Sequence, residues 1–321
     1  MNVTVLGDGA FGTAFATLLA HNGHQVTLWC YNKNVAEYIL NNHINTKYLP
    51  NVQLKKNIIP TTSLEKALRN DFIFEAIPIA FMRSTLEQCK NYVQKNQHWI
   101  LLSKGIEQKK LLLPSHIIKD IFSENISCTV LSGPSYAYDL AIQQPTKVML
   151  AGQKELCKEI SALLTNTYFS LETSEDIIGV QLVGALKNCI AVGVGLLDGA
   201  GYGANTQILF IMHMLEEIKI ILHAYNCSEK TMYSFAGIGD IILTCFGKQS
   251  RNYKFGQLIG RGNNFEKTIQ ALEIAPEGIN TLQSVQEITQ KHMLKLQLLD
   301  ALHATVFEKS DINKLTNILC K

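Results

Sequence analysis

Residues 7–12 read Gly7-Asp8-Gly9-Ala10-Phe11-Gly12. Taken alone, G-x-G-x-x-G is a weak signal. Here it follows an apolar run over 2–6, opens an apolar helical pattern over 11–22, and precedes a second apolar run ending near Cys30. In that context it is the fingerprint of a Rossmann dinucleotide-binding unit. Gly7 permits the tight turn, Gly9 lets backbone approach a pyrophosphate, and Gly12 allows close helix–strand packing. The helix N-terminus then offers free N–H groups to the phosphates. Asp8 is a carboxylate where anions bind, so its side chain is expected to point away from the ligand.

Further short apolar runs lie at 71–77, 98–103, 128–132 and 147–151, and 63–70 adds a second helical pattern. The runs are near-continuously apolar rather than alternating. That marks strands covered on both faces, hence a parallel sheet between helices. The character changes near Thr173. Thr173 and Ser174, followed by Glu175 and Asp176, read as a capped helix start. Long helical segments follow, interrupted at Gly199, Gly201 and Gly203, with the next helix expected from about Ala204 to Tyr225. The reading is an α/β chain: a doubly wound Rossmann sheet over 1–173, followed by an all-helical domain over 174–321.

The chain has 321 residues, 47% apolar and 17% charged, with a net charge of +2. Such a composition is globular. The charge is too small, and too scattered, to suggest a nucleic-acid or membrane-surface partner. No uncharged apolar run reaches the roughly 20 residues that span a bilayer. A strand pattern beginning at Asn2 leaves no room for a leader. The eight cysteines form no C-x-x-C pair, and the histidines show no metal-ligand spacing, so no metal is expected. The cysteines read as reduced, which fits the cytoplasm.

The second strand decides the ribose. NAD-specific folds place Asp or Glu about 20 residues after the glycines, to bond the 2′-OH. This chain has Trp29-Cys30-Tyr31-Asn32-Lys33 there. With no acid present, a 2′-phosphate is expected to be tolerated with Lys33 as its counter-charge, which predicts NADP or both cofactors. The bland alternative is a solvated loop lysine.

In the second half, Lys187 interrupts an apolar helix with no carboxylate three or four residues away. With Gln181, Gly184 and Asn188 it forms a narrow polar stripe. A lysine in a low-dielectric site has a lowered pKa and can exchange protons near neutrality. Carbonyl reduction needs such a donor; a snorkelling surface lysine is the alternative. Ser250-Arg251-Asn252 opens another helix, with donors suited to a phosphate, although a simple capped helix has the same pattern. Asp240, among glycines before an apolar run, reads as a placed carboxylate or as a cap. Ser132-Gly133-Pro134-Ser135 and Ser103-Lys104-Gly105 end strands, where doubly wound folds bind ligands.

These segments occur in an order that resembles the bacterial type of NAD(P)-dependent glycerol-3-phosphate dehydrogenases. The match includes residues 7–14, Lys47-Tyr48-Leu49-Pro50, Ser103-Lys104-Gly105-Ile106-Glu107, Ser132-Gly133-Pro134-Ser135-Tyr136-Ala137, Gly184-Ala185-Leu186-Lys187-Asn188, Gly239-Asp240, Leu243-Thr244-Cys245, Ser250-Arg251-Asn252 and Glu277-Gly278. The resemblance implies interconversion of dihydroxyacetone phosphate and sn-glycerol 3-phosphate for phospholipid synthesis, with Lys187 exchanging the proton. Lys104, Gly133, Ser135, Asp240, Ser250, Arg251 and Asn252 would bind substrate. Phe11, Lys33, Tyr48, Lys104, Ala137, Arg251 and Glu277 would join the glycines around NAD(P)H. A homodimer is also implied. The family commonly has Arg near the end of the second strand, where this chain has Tyr31-Asn32-Lys33. The rival readings are a 3-hydroxyacid or 6-phosphogluconate-type dehydrogenase, whose Asn lies four residues beyond the Lys rather than adjacent, and a non-catalytic NAD(P)-binding sensor.

Overall fold

The computed structural model describes residues 1–122, 126–247, 249–272 and 275–320. The chain forms two compact units, one of Met1–Ser103 with Pro114–Ile177, the other of Lys104–Leu113 with Ile178–Lys321.

The first unit is built on ten strands: β1 Asn2–Leu6, β2 Gln25–Trp29, β3 Ile44–Asn45, β4 Leu49–Gln53, β5 Ile58–Thr61, β6 Phe72–Glu75, β7 His98–Leu101, β8 Ser127–Ser132, β9 Thr146–Ala151 and β10 Phe169–Ser174. Eight of them make one sheet in the order β10-β9-β8-β7-β6-β1-β2-β5, while β3 and β4 form a separate hairpin. β1 pairs in parallel with β2 on one side and β6 on the other. The winding therefore reverses at β1, and ligands of open α/β sheets bind outside the carboxyl ends of the strands at such a point. Val3, Val5 and Leu6 are fully buried, as the apolar run requires.

The sheet departs from the expected parallel pattern in one pairing, since β8 and β9 run antiparallel. It also extends further at both edges. β5 holds Pro60, which an edge strand tolerates because its N–H side needs no partner. β10 takes in Thr173 and Ser174, which pair with Leu150 and Ala151. These two residues therefore do not start a helix. The Ser174 hydroxyl accepts from the Asp176 amide at 3.1 Å, and the helix begins at Ile177.

Between β1 and β2 runs the helix Ala10–His21. Gly7 holds φ +121°, and a Cβ at Gly12 would stand 2.1 Å from the Gly7 carbonyl oxygen. The turn is thus closed so tightly that only glycine fits at either position.

Among its described residues the second unit is helical throughout. Its centre is the 23-residue helix Ile177–Gly199, buried continuously from Gly179 to Leu197. It is long and apolar enough to cross a membrane by length and composition, but that apolar surface is covered by the unit's own helices. The helix Arg251–Gly260 packs directly against it. A Cβ at Gly195 would lie 2.0 Å from the Tyr253 carbonyl oxygen, and one at Gly256 2.0 Å from that of Val192. Gly199 and Gly260 repeat the contact one turn on, so the two backbones touch. We expect Gly256→Ala to destabilise the protein by about 1–3 kcal/mol, because the added methyl meets backbone rather than a movable side chain; thermal unfolding checks this.

Candidate active site

The second unit gathers a compact charged cluster. Lys187 sits midway along the central helix and is only 8% exposed; Asp240, which starts the helix Asp240–Phe246, is 1% exposed. The Lys187 Nζ lies 2.7 Å from Asp240 Oδ1 and 2.8 Å from the Thr244 hydroxyl. Lys104 reaches the other carboxylate oxygen, Oδ2, at 2.5 Å. Thr244 donates to the Asp240 carbonyl at 2.6 Å, which fixes its lone pairs toward the lysine. Two of the three ammonium donors of Lys187 are thus used, leaving one for a substrate oxygen.

The electrostatics follow from burial. Desolvation pulls the Lys187 pKa down to about 8, against the partly compensating pull of Asp240. Burial pushes the Asp240 carboxyl upward, but the two lysines outweigh it, and the carboxyl titrates below its ordinary range. Before Asp240 the chain kinks at Gly237, whose φ −89° and ψ −105° are not helical, and the kink precedes the helix that carries the carboxylate.

Next to the cluster, Ser250 caps Arg251–Gly260 by accepting from the Tyr253 amide at 3.2 Å. The Arg251 and Asn252 amides at the start of this helix have no helical acceptor, as at any helix N-terminus. The Asn252 side chain is committed elsewhere. It donates to Asn188 Oδ1 at 2.9 Å and accepts from the Gly278 amide at 2.9 Å. It ties three helices together, with one N–H of its side-chain amide left beyond these bonds. Glu277 opens the helix Glu277–Lys291. Burial raises its carboxyl pKa, and Arg251, Lys187 and Lys104 pull it back.

In the first unit, the glycine loop fits a dinucleotide. A Cβ at Gly9 would meet nothing within 4 Å, so the loop is open on the side where phosphates bind. No side chain caps the helix behind it. Asn45, fully buried, donates to the Asp8 carbonyl and to Thr13 Oγ1, both at 2.8 Å, and accepts from the Tyr48 amide at 3.2 Å. It therefore locks the β3–β4 hairpin, with Tyr48, onto the glycine loop. Phe11 packs on Phe15 at the core edge. Ala137 begins a short helix, Ala137–Ala141, that packs on Ala10–His21. Gly133, at φ +155°, and Ser135, whose hydroxyl donates to the Gly133 carbonyl at 3.1 Å, form the turn after β8. Lys33 stands apart, 79% exposed and 3.5 Å from Glu37. Among the described residues no group of three His, Cys, Asp or Glu could hold a metal.

Of the residues singled out by sequence, Lys104, Lys187 and Asp240 meet directly, and the charges of Arg251 and Glu277 act on the same cluster. Sequence reasoning gave no role to Thr244 or Asn45, and placed Asn188 only in the polar stripe beside Lys187. Thr244 was discoverable from its spacing, four residues after Asp240 on one helix face. Asn45 carried no local signal.

A loop made to hold a dinucleotide, in a chain that also buries a lysine of lowered pKa, is the equipment of a nicotinamide-dependent dehydrogenase. The family models are more specific. The N-terminal model of NAD-dependent glycerol-3-phosphate dehydrogenase matches residues 2–157, and the C-terminal model matches residues 176–317. The chain belongs to the NAD-dependent glycerol-3-phosphate dehydrogenase family. It is 35% identical over 309 residues to a glycerol-3-phosphate dehydrogenase [NAD(P)+] of Bacillus velezensis, covering 95% of this chain and 90% of that one. The Clostridium botulinum protein of the same name is 36% identical over 311 residues, covering 96% and 94%. The crystal structure of glycerol-3-phosphate dehydrogenase from Coxiella burnetii superposes with a TM-score of 0.94 at 28% identity, covering 100% of this chain and 98% of that one.

Replacing Asp240 with Asn leaves two ammonium groups facing each other without their shared counter-charge. We expect a loss of about 3–5 kcal/mol in urea unfolding, and a further fall of the Lys187 pKa below about 8, seen in a pH–rate profile.

Proposed function

We infer that this protein reduces dihydroxyacetone phosphate reversibly to sn-glycerol 3-phosphate with NAD(P)H, supplying the glycerol phosphate backbone for phospholipid synthesis. The observation that carries the reading is the buried Lys187, paired with Asp240 and Thr244 and keeping one N–H uncommitted. When bound, NAD(P)H supplies the hydride for C2.

Lys187 gives its proton to the oxygen forming on C2, and takes it back in the oxidative direction. Asp240 and Thr244 fix the ammonium, so the proton is presented in one direction. Lys104 shares the carboxylate and so limits how far Asp240 can raise the basicity of Lys187. Arg251 and the first amides of its helix hold the substrate phosphate, with Ser250 capping that turn. Holding the phosphate fixes the carbonyl in reach of the lysine, which is the proximity contribution to rate. Gly133 and Ser135 complete the substrate contacts. Gly7, Gly9 and Gly12, with Phe11, Tyr48, Ala137, Lys104, Arg251 and Glu277, serve the dinucleotide, and Lys33 lies toward its adenosine end. The division of labour proposed is a cofactor-binding half over 1–173 and a substrate-binding half over 174–321.

A homodimer in the cytoplasm completes the reading. Ile208, Leu209, Met212 and Ile220 form an exposed apolar stripe on the helix Ala204–Ala224, of the kind that subunit contacts cover. All eight cysteines are free, in keeping with a reducing compartment.

Lys187→Ala is expected to keep dinucleotide binding while kcat with dihydroxyacetone phosphate drops by about a hundredfold or more; a steady-state assay at 340 nm that found near-native turnover would remove the lysine from the mechanism. The pH dependence has a definite sign. With a pKa of about 8, Lys187 is charged below that pH and neutral above it. Reduction, which consumes its proton, slows as pH rises through about 8, and oxidation quickens over the same range. Met212→Glu is expected to give a monomer in light scattering if the apolar stripe is the subunit contact.

A further inference from the structure

The tip of β2 lacks the acid that NAD-binding folds use to hold the adenine ribose, yet a carboxylate stands there all the same. It comes from the glycine loop. The Asp8 carboxylate lies close enough to the Tyr31 amide, two residues past the end of β2, and to the Cys30 thiol to act on both. Asp8 is 7% exposed, and its Oδ2 is buried with no hydrogen-bond partner. Burial raises this carboxyl above its ordinary range, with the Asp8 and Tyr31 amides and the charge of Lys47 acting the other way. A buried acceptor without a donor is costly, and a carboxylate is the most costly case.

The nearby cations are engaged elsewhere: Lys47 acts on the Asp8 carboxylate and lies over the Tyr48 ring at 5.0 Å. Lys33, the cation nearest in sequence, faces Glu37 at 3.5 Å and is largely in solvent. The Asn32 side-chain oxygen is spent as a helix cap, accepting from the amides of Asn34 and Val35. A ribose diol brings hydroxyl donors. A 2′-phosphate brings negative charge and acceptors only, and would stand against the Asp8 charge. The Tyr31 ring beside it is 80% exposed and gives an apolar surface for an adenine.

We propose that Asp8 is the specificity-determining residue for the cofactor: its carboxylate accepts from the adenine-ribose hydroxyls, repels a 2′-phosphate, and makes the chain prefer NADH to NADPH. The role absent from the β2 sequence is supplied from within the glycine motif, and Lys33 is not a 2′-phosphate anchor. The inference rests on the dinucleotide reading of the glycine loop given above.

The test is direct titration of the full chain with NADH and with NADPH, followed by cofactor fluorescence and without substrate. Wild type is expected to bind NADH at least about tenfold more tightly. Asp8→Asn, which keeps the shape and removes the charge, is expected to shrink that ratio by about tenfold or more, by weakening NADH and strengthening NADPH. Asp8→Ala should move the ratio the same way; if it folds poorly, the Asn variant carries the test. Equal weakening of both cofactors in Asp8→Asn would mean a purely structural carboxylate and overturn the proposal, as would a wild type that binds NADPH as tightly as NADH. In either case the dinucleotide reading survives. A wild type that binds neither cofactor would overturn both.

Discussion

One carboxylate carries two ammonium groups in the interior of the helical unit, and much of the chemistry depends on that arrangement. Asp240 without its lysines would be driven toward its neutral form, and Lys187 without Asp240 would lose its proton more readily still. Shared between two cations, the carboxylate stays ionised, while burial keeps Lys187 close to neutrality in its proton affinity. Burying an ion pair is not in itself a reliable source of stability. Its value here is that a proton donor is held in one place with a pKa near working pH.

The fold was legible where burial on both sides imposes continuous apolar runs. β1, β2, β6, β7, β8 and β9 all correspond to such runs, and the glycine motif names the turn between the first two elements. The edges were harder to read. β5 carries a proline and β10 carries Thr173 and Ser174, because an edge strand is exempt from the donor and burial demands that make a central strand recognisable. The same polarity made Ser174 resemble a helix cap. Its hydroxyl does accept a backbone amide, but in the turn before the helix rather than at its start.

The site was legible in part. Lys187 announced itself as a charge in an apolar helix, and Asp240 as an acid among glycines, yet nothing local linked two residues 53 positions apart. The pairing is a tertiary fact. Asn252 shows another limit: its residue type and position suit a phosphate, but its bonds to Asn188 and Gly278, which tie helices together, carried no local signal. Asp8 was read as a liability beside a pyrophosphate. Its side chain was expected to turn away from the phosphates; its carboxylate lies near Cys30 and Tyr31 at the end of β2, a placement that a sequence motif cannot report.

The stretch Lys104–Leu113 has a consequence for anyone dividing the molecule. It is flanked in sequence by strands and helices of the first unit, but it packs with the second, through Ile106 and its carbonyl against Ser284. A cut near the middle of the chain would therefore not yield two self-sufficient pieces. The amino-terminal fragment would trail a mostly polar strap with no helices to cover its buried Ile106, and the carboxy-terminal fragment would lack Lys104, leaving Asp240 with a single cation. Separating the halves cleanly would require transplanting that ten-residue loan as well.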